Sequence, residues 1–153
     1  MTLVFTHAQA AAVYQATRSA GSGQVFLSPF IGRLDDKGEN GMDYIKNVVE
    51  MYKPSDHHVE VLAASVRSLD HLLYSLQLGC DIVTAPFKIL EQWVGTGLKI
   101  PDGNYVYPAN NLKPIAYGNI SLDKNWQEYD IKHELTDAGI KKFCQDWNNL
   151  INL

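Results

Sequence analysis

The sequence has few cysteines, no cluster of basic residues and no long apolar segment. Only Cys80 and Cys144 occur among 153 residues. They lie too far apart for the spacing of a zinc site, so we expect free thiols in a cytoplasmic protein. The net charge of -4 and the lack of a basic block argue against nucleic acid as a partner. No segment approaches the ~20 apolar residues of a membrane span, and no signal peptide is recognisable, so no membrane partner is expected.

What the sequence does contain is a series of apolar runs that end in polar residues. The run that begins at Val25 ends in Ser28 and Arg33, and a second run ends in Ser65 and Arg67. Near-continuous apolar runs are typical of parallel strands that are buried on both faces. A hydroxyl and a guanidinium at the C-terminal end of such a strand favour an anion site in an α/β barrel. From these residues alone, an edge strand that runs into a charged turn fits equally well.

The segments between these runs have the periodicity and the end signals of helices. Thr6 and Gln9 form a predicted capping box, Ser68 and Thr136 are predicted N-caps, and residues 35–40 are expected to form a charged loop. The sequence thus predicts strands at Thr2–Thr6, Gln24–Phe30, Val59–Ala64 and Asp81–Ala85, and helices at about 7–20, Gly41–Tyr52, Leu69–Leu78, Phe87–Trp93 and Asp137–Leu150.

Five motifs are distributed over the chain. They are T-L-V-F-T-H-A-Q-A (Thr2–Ala10), S-P-F-I-G-R-L-D-D (Ser28–Asp36), A-A-S-V-R (Ala63–Arg67), I-V-T-A-P-F (Ile82–Phe87) and H-E-L-T-D-A-G-I-K-K-F-C-Q-D-W (His133–Trp147). These motifs resemble transaldolases, the Schiff-base (class I) aldolase family that is built on a (β/α)8 TIM barrel. They occur in the order expected for the C-terminal half of the small transaldolase and fructose-6-phosphate aldolase-like subfamily.

The resemblance implies an α/β fold that forms strands five to eight of such a barrel. We expect four βα units in residues 1–93, an insertion rich in proline, glycine and aromatic residues in 94–132, and the C-terminal helix of the same domain in 133–153. The insertion could be a lid, a subunit contact or a wrap around the other half. A complete barrel needs about 200–250 residues. The length of this chain is consistent with four explanations. They are a mis-annotated start, in which a GTG valine codon was read as Met1, a truncated gene, a genuine half-barrel and a split enzyme.

The resemblance also implies roles for six residues. Thr2 matches the threonine that orients the catalytic water, and Ser28 matches a serine of the substrate site. Phe30 stands where transaldolases carry phenylalanine and fructose-6-phosphate aldolases carry tyrosine, which favours a transaldolase. The remaining three residues match the phosphate site of the family, namely Arg33 and Arg67 with Ser65 beside them.

The implied reaction is the transfer of a dihydroxyacetone unit between sugar phosphates through a lysine Schiff base, a transferase step of the pentose phosphate pathway in carbohydrate metabolism. The family's lysine and its acid–base residues belong to strands one to four, so the chain alone is expected to be inactive. No cofactor or metal is implied. The expected partners are sugar phosphates and either a second copy or an N-terminal half. A non-catalytic half-barrel that binds sugar phosphate or self-associates, and fructose-6-phosphate aldolase activity, are the alternatives.

Several other polar residues have simpler interpretations. Asp35 and Asp36 are expected to stabilise a helix N-terminus and to pair with an arginine, because no further metal ligand lies at a suitable spacing. His57 and His58 are expected at the surface, and His71 is expected to be half-exposed. Lys88 is expected to point outward from its helix and not to form a Schiff base.

Overall fold

The computed structural model describes residues 1–151, which form one α/β unit. Four strands alternate with helices along the chain, and a segment with little regular structure precedes the last helix. The strands are β1 (Thr2–Val4), β2 (Val25–Pro29), β3 (Val59–Ala63) and β4 (Ile82–Val83). The helices are α1 (His7–Ala16), α2 (Ile31–Asp36), α3 (Gly41–Tyr52), α4 (Leu69–Gln77), α5 (Phe87–Gly95) and α6 (Glu134–Ile151), with a 3₁₀ turn at Trp126–Glu128.

The four strands form one parallel sheet in the order β1-β2-β3-β4, so each strand lies beside the next one in sequence. In β3, the side chains of Val59, Val61 and Ala63 are buried, whereas the alternate residues Glu60 and Leu62 are only half-buried. Successive side chains of a strand point to opposite faces, so one face of the sheet is covered and the other is more open. A parallel sheet with sequential order and this difference between its faces is consistent with half of a TIM barrel.

Helix α3 is the centre of the packed side of the sheet. Its residues Tyr44, Ile45 and Val48 are fully buried. The hydroxyl of Tyr44 donates to the carbonyl oxygen of Thr6 at 2.9 Å, and that of Tyr52 donates to Ala10 at 2.7 Å. These two bonds join α3 to α1 and satisfy polar groups that would otherwise be costly to bury. The bounds predicted for α3 are confirmed, as is the capping box of Thr6 at the start of α1.

Two predictions about local structure are wrong. Residues 35–40 do not all form a loop, because α2 covers Ile31–Asp36. The prediction missed α2 because its six residues contain no cap signal and follow β2 after a single residue. Thr136 does not cap α6, which begins at Glu134. The hydroxyl of Thr136 instead donates to the carbonyl oxygen of Leu3 at 2.8 Å, and this bond holds α6 against β1.

The predictions for two histidines are also wrong. His58 is buried, and its ring contacts a carboxylate oxygen of Asp56 and, at 3.2 Å, the carbonyl oxygen of Tyr14. His71 is buried as well, with 4% of its side chain exposed. A histidine ring has both a polar edge and an apolar body, so the sequence pattern did not distinguish a buried, hydrogen-bonded ring from an exposed one. Lys88 is exposed, as predicted.

Residues 94–132 pack along the outer sides of the helices of this unit. The carbonyl oxygen of Lys113 accepts from the amide of Asn40, and that of Ile115 accepts from the side chain of Asn47, each at 2.8 Å. Further along, the carbonyl oxygen of Ile131 accepts from Gln9 at 2.9 Å. The segment therefore contacts the start of α3, the middle of α3 and then α1, where Tyr117 also packs against His7 with 6.4 Å between ring centres. Within residues 1–151, no helix has the length and apolar character needed to cross a membrane.

Candidate phosphate-binding site

The candidate site is built where β2 and β3 end. The amide of Ile31 donates to the carbonyl oxygen of Ala64, and that of Gly32 donates to Ser65, each at 3.1 Å. The first amides of a helix have no partner within the helix itself. Here they are satisfied by the backbone that follows β3, and α2 is thereby held beside the β3–α4 loop. This contact brings the residues after one strand next to those after the other.

Gly32 is the point of closest approach between the two segments. A β-carbon on Gly32 would lie 2.3 Å from the carbonyl oxygen of Ser65, and 2.6 Å and 2.8 Å from Cγ and Nε of Arg67. Only glycine leaves room for this contact. The backbone of Ser65 has a positive φ of 61°, which is unusual for a residue other than glycine and turns the chain sharply after β3. The Arg67 side chain therefore lies directly over the first turn of α2.

Arg33 lies half-buried between two aromatic rings. Its guanidinium carbon is 5.1 Å from the ring centre of Phe30 and 5.8 Å from that of Phe143. Helix α6 approaches closely at Gly139, where a β-carbon would lie 2.9 Å from Nη1 of Arg33. Among residues 1–151, no carboxylate lies within 4.0 Å of Arg33. A half-buried guanidinium without a counter-ion favours the binding of an anion.

Arg67, by contrast, has a carboxylate partner. Its Nη1 and Nη2 lie 2.7 Å from Oδ1 and Oδ2 of Asp36, which is the two-pronged geometry of a strong arginine–carboxylate pair. Asp36 therefore has the predicted arginine partner, and Asp35 has the other predicted role, since it accepts from the amide of Gly41 at the start of α3. About half of each side chain is exposed, so water screens the pair and an anion can reach the outer side of the guanidinium.

The two arginines line a single cavity of about 320 Å³, which we call the basic cavity. Its charged residues are Arg33, Asp36, Lys37, Arg67 and Lys142, four cations and one carboxylate. Lys37 pairs with Glu134 at 2.9 Å and Lys142 pairs with Asp146 at 2.7 Å, each with a carboxylate that does not line the cavity. The charge that faces the cavity is therefore positive. Sequence reasoning missed Lys37 and Lys142, since neither belongs to a motif that marks phosphate binding.

The structure brings four of the six predicted site residues together: Phe30, Arg33, Ser65 and Arg67. The other two lie further back along the strands. Ser28 is buried within β2 and is paired in register with Thr2 of β1. Thr2 is exposed and lines a separate, largely apolar cavity of about 280 Å³ beside α1. Neither Thr2 nor Ser28 lines the basic cavity.

A hydrogen-bonded cluster lies behind Arg67. Nε2 of His71 is 2.7 Å from Oδ2 of Asp35 and 2.8 Å from the hydroxyl of Tyr107, and its Nδ1 accepts from the backbone amide of Arg67 at 3.2 Å. Burial raises the pKa of Asp35, but hydrogen bonds from His71 and from the backbone amide of Gly41 outweigh burial, so this pKa lies below its ordinary value. Asp35 is therefore ionised at neutral pH.

Comparison with known proteins identifies the group to which this arrangement belongs. The family model described as "Transaldolase/Fructose-6-phosphate aldolase" matches residues 1–153. The chain belongs to the transaldolase/fructose-6-phosphate aldolase family. The match includes residues 94–132 as well as the motifs on either side of them.

Curated members of this family cover the chain almost completely. A probable transaldolase of Caldicellulosiruptor saccharolyticus is 32% identical over 151 residues, which are 98% of this chain and 50% of the relative. A probable transaldolase of Brucella anthropi is 36% identical over 133 residues, which are 87% of this chain and 44% of the relative. The chain thus spans about half the length of the transaldolases that it matches.

Proposed function

We propose that this chain supplies the phosphate-binding half of a transaldolase, as strands five to eight of its barrel. The observation that carries the proposal is Arg33, a half-buried guanidinium without a carboxylate partner among the described residues, which shares the basic cavity with Arg67. A phosphate has several oxygens that accept charge-assisted hydrogen bonds from guanidinium groups, so two converging arginines suit the phosphate of a sugar better than a neutral ligand.

The six site residues then have distinct roles. Arg33 and Arg67 bind the substrate phosphate, and Ser65 holds the turn that places Arg67 and contributes its hydroxyl beside them. Phe30 supports Arg33 through the face of its ring and, being phenylalanine, favours transaldolase chemistry over the aldolase alternative. Ser28 and Thr2, which are paired across β1 and β2, contact the carbon chain of the sugar and the catalytic water further along the strands.

The Schiff-base lysine is proposed to come from strands outside this chain. None of the four strands within residues 1–151 contains a lysine, and Lys88 is exposed on α5. In the proposed reaction a lysine amine attacks the ketone of a sugar phosphate and water is lost. The C4 hydroxyl then loses its proton to a base, the bond between the third and fourth carbons breaks, its electrons move to the imine, and an aldose phosphate leaves. The bound three-carbon unit adds to a second aldose phosphate, which takes up a proton, and water hydrolyses the new imine to release the ketose phosphate and the lysine, which completes the transfer step of the pentose phosphate pathway.

A non-catalytic, sugar-phosphate-binding protein is the second candidate, favoured by the same lack of lysine in the strands. To distinguish the two, the part of the Caldicellulosiruptor saccharolyticus relative that this chain does not match is fused ahead of residue 1. The fusion is incubated with fructose 6-phosphate and borohydride, and the trapped lysine is located by mass spectrometry. We expect a three-carbon adduct on a lysine of the relative's segment. The amount of this adduct should fall in an Arg33→Met fusion and should be unchanged in an Arg18→Met fusion.

Two outcomes would overturn the catalytic proposal. An adduct on a lysine of residues 1–153 would place the Schiff base in this chain. A folded fusion that binds fructose 6-phosphate but traps no adduct would favour the non-catalytic candidate. Folding is checked by circular dichroism and by the elution volume on size exclusion.

A further inference from the structure

We propose that Asp35, His71 and Tyr107 together position Arg67 for phosphate binding, and that residues 94–132 thereby contribute to the affinity of the basic cavity. The inference rests on the proposed function, because it assigns Arg67 a role in binding phosphate. None of the three residues lines the basic cavity itself. They would act through the backbone of Arg67 and are positioning residues.

The cluster acts on Arg67 through the contact between the His71 ring and the backbone amide of Arg67. Nδ1 of His71 accepts from the Arg67 amide at 3.2 Å, so this nitrogen carries no proton. In the neutral ring the proton is then on Nε2, which donates to Oδ2 of Asp35 at 2.7 Å. The other carboxylate oxygen accepts from the amide of Gly41 at 2.9 Å, at the start of α3. The position of the Arg67 backbone is therefore fixed by His71 of α4, which is held in turn by Asp35 of α2 and, through Asp35, by the start of α3.

Asp35 and Asp36 contact Arg67 in different ways. Asp36 contacts the guanidinium directly through both of its oxygens and competes there with an anion, whereas Asp35 acts through His71 on the backbone amide. Both carboxylates stand at the end of α2, whose first turn lies under the Arg67 side chain at Gly32. Arg67 thus contacts α2 directly at its side-chain stem and its guanidinium, and its backbone is linked to α2 through His71 of α4.

Tyr107 connects residues 94–132 to this arrangement. Its hydroxyl lies 2.8 Å from Nε2 of His71 and donates to Oδ2 of Asp35 at 3.3 Å. Its ring also packs against Tyr74 of α4, with 5.8 Å between ring centres. Close by, the hydroxyl of Tyr105 donates to Asp70, again on α4. The segment therefore adds contacts on the outer side of the cluster, where Asp35, His71 and Tyr107 also border an open cavity of about 580 Å³.

The test compares variants in the fused protein described above, in which the barrel is complete. His71→Leu removes both ring nitrogens, and His71→Asn keeps an acceptor for the Arg67 amide. Tyr107→Phe removes only the hydroxyl, and Tyr117→Phe is its matched control in the same segment, because the hydroxyl of Tyr117 has no hydrogen-bond partner among the described residues. Calorimetry with fructose 6-phosphate measures affinity, and amide hydrogen exchange at Arg67 measures its positioning.

We expect His71→Leu to weaken fructose 6-phosphate binding by on the order of tenfold, and His71→Asn to recover most of that loss. Tyr107→Phe should weaken binding by about threefold, while Tyr117→Phe should bind as the parent does. The larger the loss of affinity in a variant, the faster the hydrogen exchange of its Arg67 amide should be. Fructose without phosphate should show no dependence on these variants.

Two results would contradict the inference, and they differ from a failure of the proposed function. If the parent binds fructose 6-phosphate and His71→Leu binds it equally well, His71 does not position Arg67. If affinity falls but the exchange of the Arg67 amide is unchanged, the effect does not pass through that amide. If the parent binds no phosphate at all, the proposed function fails, while the exchange data still decide whether His71 holds Arg67.

Discussion

Gly32 gives the sharpest test of how the basic cavity is built, and Gly32→Ala is the change we would make. The new methyl group would lie 2.3 Å from the carbonyl oxygen of Ser65 and 2.6 Å from Cγ of Arg67. The side chain of Arg67 can move aside, but the backbone of Ser65 cannot move without disturbing the end of β3. The substitution therefore pushes α2 away from the β3–α4 loop and breaks the hydrogen bond from Gly32 to Ser65.

The magnitude follows from three contributions. Overpacking of this kind costs about 1–3 kcal/mol, and the lost backbone hydrogen bond costs about 0.5–1.5 kcal/mol. The higher helix propensity of alanine returns about 0.5–1 kcal/mol. We therefore expect Gly32→Ala to lower the free energy of unfolding by about 0.5–4 kcal/mol, measured by urea denaturation. Because α2 carries Arg33 away from Arg67, fructose 6-phosphate should also bind more weakly.

Gly95 provides the matched control. It lies at the end of α5, and a β-carbon there would have no atom within 4 Å. Gly95→Ala should leave fructose 6-phosphate binding unchanged and should stabilise the protein by up to about 1 kcal/mol. If Gly32→Ala behaves like Gly95→Ala in both measurements, the close contact between α2 and the β3–α4 loop is wrong, and the account of how Arg67 is placed is wrong with it.

Three further variants test the charges around the site. Arg33→Met should weaken fructose 6-phosphate binding by about tenfold or more in calorimetry, because charge-assisted hydrogen bonds are lost. Asp36→Asn should strengthen it by about two- to fivefold, because a carboxylate that competes with phosphate for Arg67 is removed. Asp35→Asn should lower the free energy of unfolding by about 1–3 kcal/mol at pH 7. Because its pKa lies below the ordinary value of 3.8, the stabilisation by Asp35 is complete above pH 3.8 and is lost as the pH falls through its pKa.

Each of these has a control or an opposing outcome. Arg18→Met removes an arginine that pairs with Asp123 away from the basic cavity and should leave binding unchanged. Weaker binding in Asp36→Asn would mean that this carboxylate orients Arg67 more than it competes for it. For Asp35→Asn, urea denaturation is repeated below pH 3.8, where the difference from the parent should shrink. A difference that stays constant with pH would exclude an ionised Asp35 as its source.

Local sequence patterns were sufficient to predict the helices and strands that have their own apolar periodicity or cap residues. Helix α3 has a strong apolar periodicity, from which it was predicted, and the structure adds an N-cap at Asn40. The same reasoning missed α2, whose six residues are held by backbone bonds to Ala64 and Ser65, residues more than thirty positions away. Long-range contacts of this kind leave no periodicity in the sequence.

The residues of the candidate site also divide into those with a signal in the sequence and those that only the fold brings together. The two arginines were found because they stand in motifs that resemble a known family, and the structure places both at one cavity. Two further cations complete the cavity, namely Lys37, which directly follows α2, and Lys142 of the distant α6, and only the fold shows that both face it. His71 was expected to be half-exposed on its helix. It is instead buried, and Tyr107 contacts it from a segment with little regular structure.

The central claim is that the guanidinium groups of Arg33 and Arg67 bind the phosphate of a sugar phosphate. The sequence contains only three arginines, Arg18, Arg33 and Arg67, so selective ¹⁵N labelling gives three Nε–H signals in a nuclear magnetic resonance spectrum. Titration with fructose 6-phosphate should shift the signals of Arg33 and Arg67 and leave that of Arg18 unchanged, and fructose should shift none. Equal shifts of all three signals, or equal shifts with fructose, would contradict the claim.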